Sequence, residues 1–143
     1  MQSGKWLILL IVFVACFLVA FDLLRMVTVE HDIQTALNNA AAGAMVKSLD
    51  PAPLRVGSYP RINPAQLQTY LPDLMRSNFK MKAMRVATRV YKVKCNPPAI
   101  AVSAKATIDS LALKYFYYRQ PDADVNKEMK GRAVVIYESK STN

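Results

Sequence analysis

Histidine occurs once in these 143 residues, cysteine twice and glycine four times. That scarcity removes most catalytic chemistry before any pattern is sought. The single histidine, His31, lies between Glu30 and Asp32 in a stretch of helix formers. Adjacent side chains on a helix point in different directions, and no nucleophile stands at helical spacing from it. The sequence carries no zinc spacing, phosphate-cradling glycine loop or dinucleotide fingerprint. Cys16 lies in an apolar run and Cys95 far downstream, so the two are not expected to pair; an unpaired Cys95 in an oxidising exterior is either buried, the preferred reading, or bonded to another chain. Asp122, Asp124, Asn126 and Glu128 alternate as in a calcium loop, but Lys127 stands where such a loop needs glycine and Ala133 where it needs a bidentate glutamate. The expectation is a chain with no catalytic residues, metal site or cofactor: a structural protein and not an enzyme.

Proline and glycine are also missing between Lys5 and Ala42; Gly43 is the first interruption and Asp50-Pro51 the first hard stop. Charge is missing from the first part of that stretch, where Trp6 to Phe21 are sixteen consecutive apolar residues. Counting on to Leu24 across Asp22 gives nineteen, within the roughly 17–25 that cross a bilayer. A cleaved secretory signal is a competing reading, but the run is long for one, and Leu18-Val19-Ala20 places a bulky residue where a small one is wanted. A lipoprotein signal at Val14-Ala15-Cys16 is another, with Phe13 a poor lead residue and Phe17-Leu18-Val19 a greasy mature start. A retained anchor fits the length and the flanks best. Lys5 before the run, and Asp22, Arg25, Glu30 and Asp32 after it, orient the N-terminus to the cytoplasm and the remainder outside.

The helix is expected to continue beyond the membrane. Residues 25–49 are rich in good helix formers, with Ile33, Leu37, Ala40, Ala44 and Val46 broadly on one stripe and His31, Gln34, Asn38 and Lys47 more polar. One helix of about 45 residues, roughly 65–70 Å long, covers residues 1–50. Its first half, 6–24, is greasy on all sides; its second, 25–49, is amphipathic and Ala-rich. The stretch Phe21-Asp22-Leu23-Leu24-Arg25, followed by Gln34-Thr35-Ala36-Leu37-Asn38-Asn39-Ala40-Ala41-Ala42-Gly43-Ala44, resembles the N-terminal region of TadE-like pseudopilins of tight-adherence (Flp-type) pilus systems, within the type IV pilin-like superfamily. In that family an apolar run ends in an acidic-x-x-Arg step, and an Ala-rich helix and a small β-rich domain follow. The likeness covers about the first fifty residues. This chain departs from the pilin pattern in having no glutamate near the start of the run, which opens Lys5-Trp6. Ser3-Gly4 is a candidate processing position, with no basic residue before it.

Residues 51–82 read as a connector, broken by Pro51, Pro53, Pro60, Pro64, Pro72 and Gly57. Asn63-Pro64 reads as a helix cap and first turn, with short helices expected over 64–71 and from Pro72-Asp73 to about Phe79. Residues 83–143 read as an antiparallel head. Val86, Thr88 and Val90 alternate with Arg85, Ala87 and Arg89, and Ile100, Val102, Ala104, Ala106 and Ile108 with Ala101, Ser103, Lys105 and Thr107. Strands over 111–119 and 132–138 complete an expected four-stranded meander. The fold class is α+β: a long N-terminal helix, then a small antiparallel sheet packed on its C-terminal half.

Charge is uneven. Residues 1–50 hold three basic and four acidic side chains, residues 51–143 sixteen and six. Arg76, Lys80, Lys82, Arg85, Arg89, Lys92 and Lys94 form a basic run without an acid, which suits a solvated or subunit-pairing face and more weakly DNA or another anionic surface. The expected function is a subunit of an extracellular pilus-like filament. Before assembly it would sit in the cytoplasmic membrane; afterwards it would pair with itself or other pilin-like subunits through Trp6, Leu9, Leu10, Phe13, Phe17, Phe21 and Leu24. Lys5, Asp22 and Arg25 are the candidate inter-subunit charges, with Arg25 close enough to satisfy Asp22 locally. The alternative is a single-span membrane-anchored accessory protein, or minor pilin, of a pilus or secretion assembly, for which a basic DNA- or surface-binding head is a further option.

Overall fold

The computed structural model describes residues 2–50, 52–53, 60–80, 85–95, 97–110, 112 and 126–137. A single helix, α1 (Gln2–Ser48), carries the chain from its first turn into the head, 47 residues and about 70 Å at 1.5 Å per residue. It runs through Gly43, where a side chain would stand 3.2 Å from Leu74 Cδ1, so the glycine serves close packing rather than termination. The end comes at Ser48, whose hydroxyl donates to the Met45 carbonyl. Two short strands, β1 (Leu49–Asp50) and β2 (Arg61–Ile62), then pair antiparallel and close the connector at its base.

α2 (Pro64–Asn78) begins as its sequence dictates: the Asn63 side chain accepts from the Ala65 and Gln66 amides, and Pro64 occupies the first turn. The two short helices expected here are one. Pro72 sits inside α2, although an interior proline costs a helix about 3 kcal/mol relative to alanine. Leu67, Leu71 and Met75, spaced by four, are fully buried; each contributes roughly 1.5–3 kcal/mol, more than enough together to carry the helix across the break.

The head sheet is a three-stranded antiparallel meander of β3 (Val86–Cys95), β4 (Pro98–Asp109) and β5 (Asn126–Ile136), with β4 in the centre. Ile100, Val102, Ala104, Ala106 and Ile108 are all buried, as their alternation requires. The third strand starts at Asn126, six residues before the expected 132, because Asn126 to Met129 pair with Asp109 to Ala106. Most of the strand expected over 111–119 lies outside the described residues; Ala112 within it is helical.

Both helices pack on one face of this sheet, α1 against β5 and β4, and α2 against α1 and β3. The buried stripe of α1 runs Val29, Ile33, Ala36, Leu37, Ala40, Ala41, Ala44 and Met45. Val46, expected on that stripe, is exposed, since it lies two residues, or about 200°, from Ala44. At Gly131 of β5 the sheet comes close to α1: a Cβ there would lie 2.8 Å from Ile33 Cγ2.

Candidate functional site

Two surfaces stand out once the core is accounted for. The first is the N-terminal half of α1. Trp6, Leu9, Leu10, Phe13 and Phe17 are each more than 60% exposed, as is Leu24, with Phe21 at 43%. Among the described residues, nothing in the head folds back over them. Gly4–Ser48 has the length and apolarity to cross a membrane. One side of this stretch carries a shallow notch lined by Ala15, Cys16, Val19, Ala20 and Leu23.

Asp22 marks where the exposed apolar half of α1 meets the head. It is buried, and its Oδ2 accepts from the Ser110 hydroxyl at 2.6 Å and the Ala112 amide at 2.8 Å. Both donors come from the segment after β4, some ninety residues downstream in sequence. These two partners lie within the chain and were not among the sequence expectations for Asp22; no local pattern announces a contact so distant. Lys5 is exposed and Arg25 half-buried. A few residues above, Lys127 Nζ reaches Met26 Sδ at 3.5 Å. The base of the sheet therefore sits at residues 22–26 of α1, with no free linker between anchor and head.

Higher on the helix, Gln34 acts as a strand substitute for the outer edge of β5. Its Nε2 donates to the Arg132 carbonyl at 2.8 Å and its Oε1 accepts from the Arg132 amide at 3.3 Å. At Arg132 the backbone groups of the edge are thereby occupied. Asp32 accepts from the Lys80 amide at 3.1 Å and fixes the chain just past α2.

The second surface is the outer face of the sheet, which neither helix covers. The expected basic run divides between two places. Arg76 and Lys80 end the helical layer, Arg85 precedes β3, and Arg89, Lys92 and Lys94 line β3 itself, all exposed; Lys82 lies outside the described residues. Cross-strand pairing adds three cations that the run did not include. Ser103 pairs with Arg89 on one side and Arg132 on the other, and Lys105 pairs with Lys130. Register brings these together, and only the two-residue spacing of Lys130 and Arg132 hinted at it. Glu128 is the acid among them, 3.3 Å from Lys105 and 3.8 Å from Lys130. Tyr91 sits at a bulge between Val90 and Lys92, exposed, with the Arg89 guanidinium 5.4 Å from its ring centre. A hydrogen bond with Ser103 is the largest influence holding its phenol below the ordinary value; desolvation opposes it, and the charges of Arg89, Arg132 and Lys105 add to the lowering.

Cys95, expected buried, is exposed at the end of β3, and Cys16 is exposed on the anchor. Strand ends have few neighbours to cover them. Among the described residues, no group of three or more His, Cys, Asp or Glu converges on a metal position. No protein family model, characterised protein or solved structure matches this chain.

Proposed function

We propose that this chain is a subunit of an extracellular pilus-like filament, of the TadE-like kind, assembled through its N-terminal helix. The observation that carries the proposal is the division of α1. One unbroken helix has an N-terminal half with apolar side chains exposed all round and a C-terminal half that is the spine of the head. In the cytoplasmic membrane, with Lys5 on the cytoplasmic side, lipid covers the first half. In a filament, the same Leu, Ile, Val and Phe side chains pack against neighbouring helices, so leaving the bilayer costs little once a lattice receives them. The rigid join at Asp22 favours this reading, because a head without a linker moves with its helix as one body.

The second reading is a single-span accessory protein that remains in the bilayer, supported by an anchor whose composition suits lipid as well as protein. Microscopy separates the two. Sheared surface material from cells making the full chain should contain filaments, and mass spectrometry of those filaments should find this chain as a component. A chain that stays wholly in the membrane fraction, with no filament containing it, would leave the accessory reading in its place.

A further inference from the structure

We infer that the outer face of the sheet is a binding trough for a single strand of nucleic acid. This rests on the head alone and holds whether α1 polymerises or stays in the bilayer. The floor of the trough is β4, where Ala99 and Ala101 are half-buried and Ser103 is buried. Small side chains keep that floor low. One rim is β3, with Arg89, Lys92 and Lys94; the other is β5, with Lys130 and Arg132 and then the exposed apolar pair Val134 and Ile136. The rims stand two strand spacings apart, about 9.5 Å, and the floor from Ala99 to Lys105 is about 20 Å long. Those dimensions suit one extended polymer.

The chemistry of the trough selects the polymer. Among the described residues, six cations (the five on the rims and Lys105) outnumber the two acids of this face, Glu128 and Asp109, both at its far end, so the occupant carries regularly spaced negative charge. The bulge adds an exposed aromatic ring, Tyr91, backed by the Arg89 guanidinium. Cationic grooves with a stacking ring are how single strands are held without sequence preference, the phosphates along the rim and a base on the ring. A duplex keeps its bases inside and would leave the ring and the apolar rim unused. A bilayer is the wrong shape: Lys127 lies at Met26 and Gly131 at Ile33 and Leu37, so β5 climbs along α1 and the face runs along the helix axis. A membrane around the start of α1 would meet the end of this face and not its length.

The test uses the full chain in detergent and a labelled oligothymidine, with binding read by fluorescence anisotropy. The oligonucleotide should bind with an affinity that falls as salt rises, by a logarithmic slope of about −0.7 for each phosphate held. Tyr91→Ala should weaken binding roughly 5- to 100-fold, while Tyr91→Phe, which keeps the ring, should not. The pair Arg89→Gln and Arg132→Gln should weaken it and flatten the salt slope. The pair Arg76→Gln and Lys80→Gln, on the helical layer and equal in charge, should leave it unchanged. Circular dichroism confirms the fold of each variant. Equal losses from both pairs would show attraction by net charge alone and overturn the proposal. So would tighter binding of the matching duplex or of polyglutamate, or indifference to Tyr91→Ala.

Discussion

At the scale of the residue, Asp22 carries the most information. A carboxylate at the end of an apolar run is ordinarily read as the edge of a membrane span, with its charge in water or paired along the helix. Here it is buried and receives a hydroxyl and an amide from beyond β4. Asp22→Ala leaves both donors without that acceptor in a place water does not reach. The head should lose about 2–4 kcal/mol, measured by chemical denaturation in detergent with tyrosine fluorescence as the signal. Asp22→Asn keeps an acceptor oxygen and should lose less; equal loss from the two variants would mean that charge, not hydrogen bonding, holds the join. Tyr91 makes a prediction in pH. Its phenol is held below the ordinary 10.0, first by Ser103 and then by Arg89, Arg132 and Lys105. Because the folded value is the lower, the stabilisation is fully present above the unfolded value. It fades as pH falls through the folded one and is absent at neutral pH. The ultraviolet difference titration between the native chain and Tyr91→Phe should show this phenol ionising early, and Ser103→Ala should move its midpoint up. A midpoint that does not respond to Ser103→Ala would remove the hydrogen bond as the leading cause.

At the scale of the element, the sequence was most legible where periodicity is enforced by a buried face. The alternation in β4 matches its burial everywhere but at Ser103, which is buried on the outward side, and Asn63-Pro64 caps α2 as its chemistry requires. Three features were illegible for identifiable reasons. Pro72 is a local breaker overruled by burial of Leu67, Leu71 and Met75. The start of β5 carries Lys127 and Glu128, residues a local reading assigns to a loop, and only pairing with β4 makes them strand. The cationic face depends on register between three strands, which charge runs along one strand cannot show. The legible and illegible parts meet at Gly131, where β5 crosses Ile33 of α1. Gly131→Ala places a methyl 2.8 Å from Ile33 Cγ2, closer than packed carbons tolerate. The strand or the helix must shift, at about 1–3 kcal/mol. Ile33→Ala in the same chain opens space for that methyl, so the double variant should be more stable than the sum of the two losses implies. A strictly additive double-mutant cycle would show that the contact is relieved elsewhere.

At the scale of the whole molecule, the composition break at Pro51 suggests a head separable from its helix at Asp50, and the packing moves that boundary. Val29, Ile33, Leu37 and Met45 are completely or almost completely buried and lie on the helix side of it. Four such side chains contribute roughly 6–12 kcal/mol at 1.5–3 each, comparable to the whole stability of a small domain. A chain beginning at Asp50 should therefore fail to fold, while one beginning at Phe21, which keeps Asp22 and the buried stripe, should be soluble with a cooperative thermal transition. Cooperative folding of the shorter chain would show that α1 is not the spine of the head. The filament reading proposed above requires the apolar half of α1 to pack against its own copies, and the molecule carries a reporter of that contact. Cys16 lies in the notch with Ala15, Val19 and Ala20, small residues of the kind that let helices approach closely. In a Cys95→Ser chain it is the only thiol. Mild oxidation of assembled material should then give disulfide-linked dimers if neighbouring anchors pack through this side. Ala20→Leu, which fills the notch, should abolish them and impair assembly together. Filaments that form normally from Ala20→Leu, or that never cross-link through Cys16, would place the contact between anchors on another side of the helix and leave the notch to lipid.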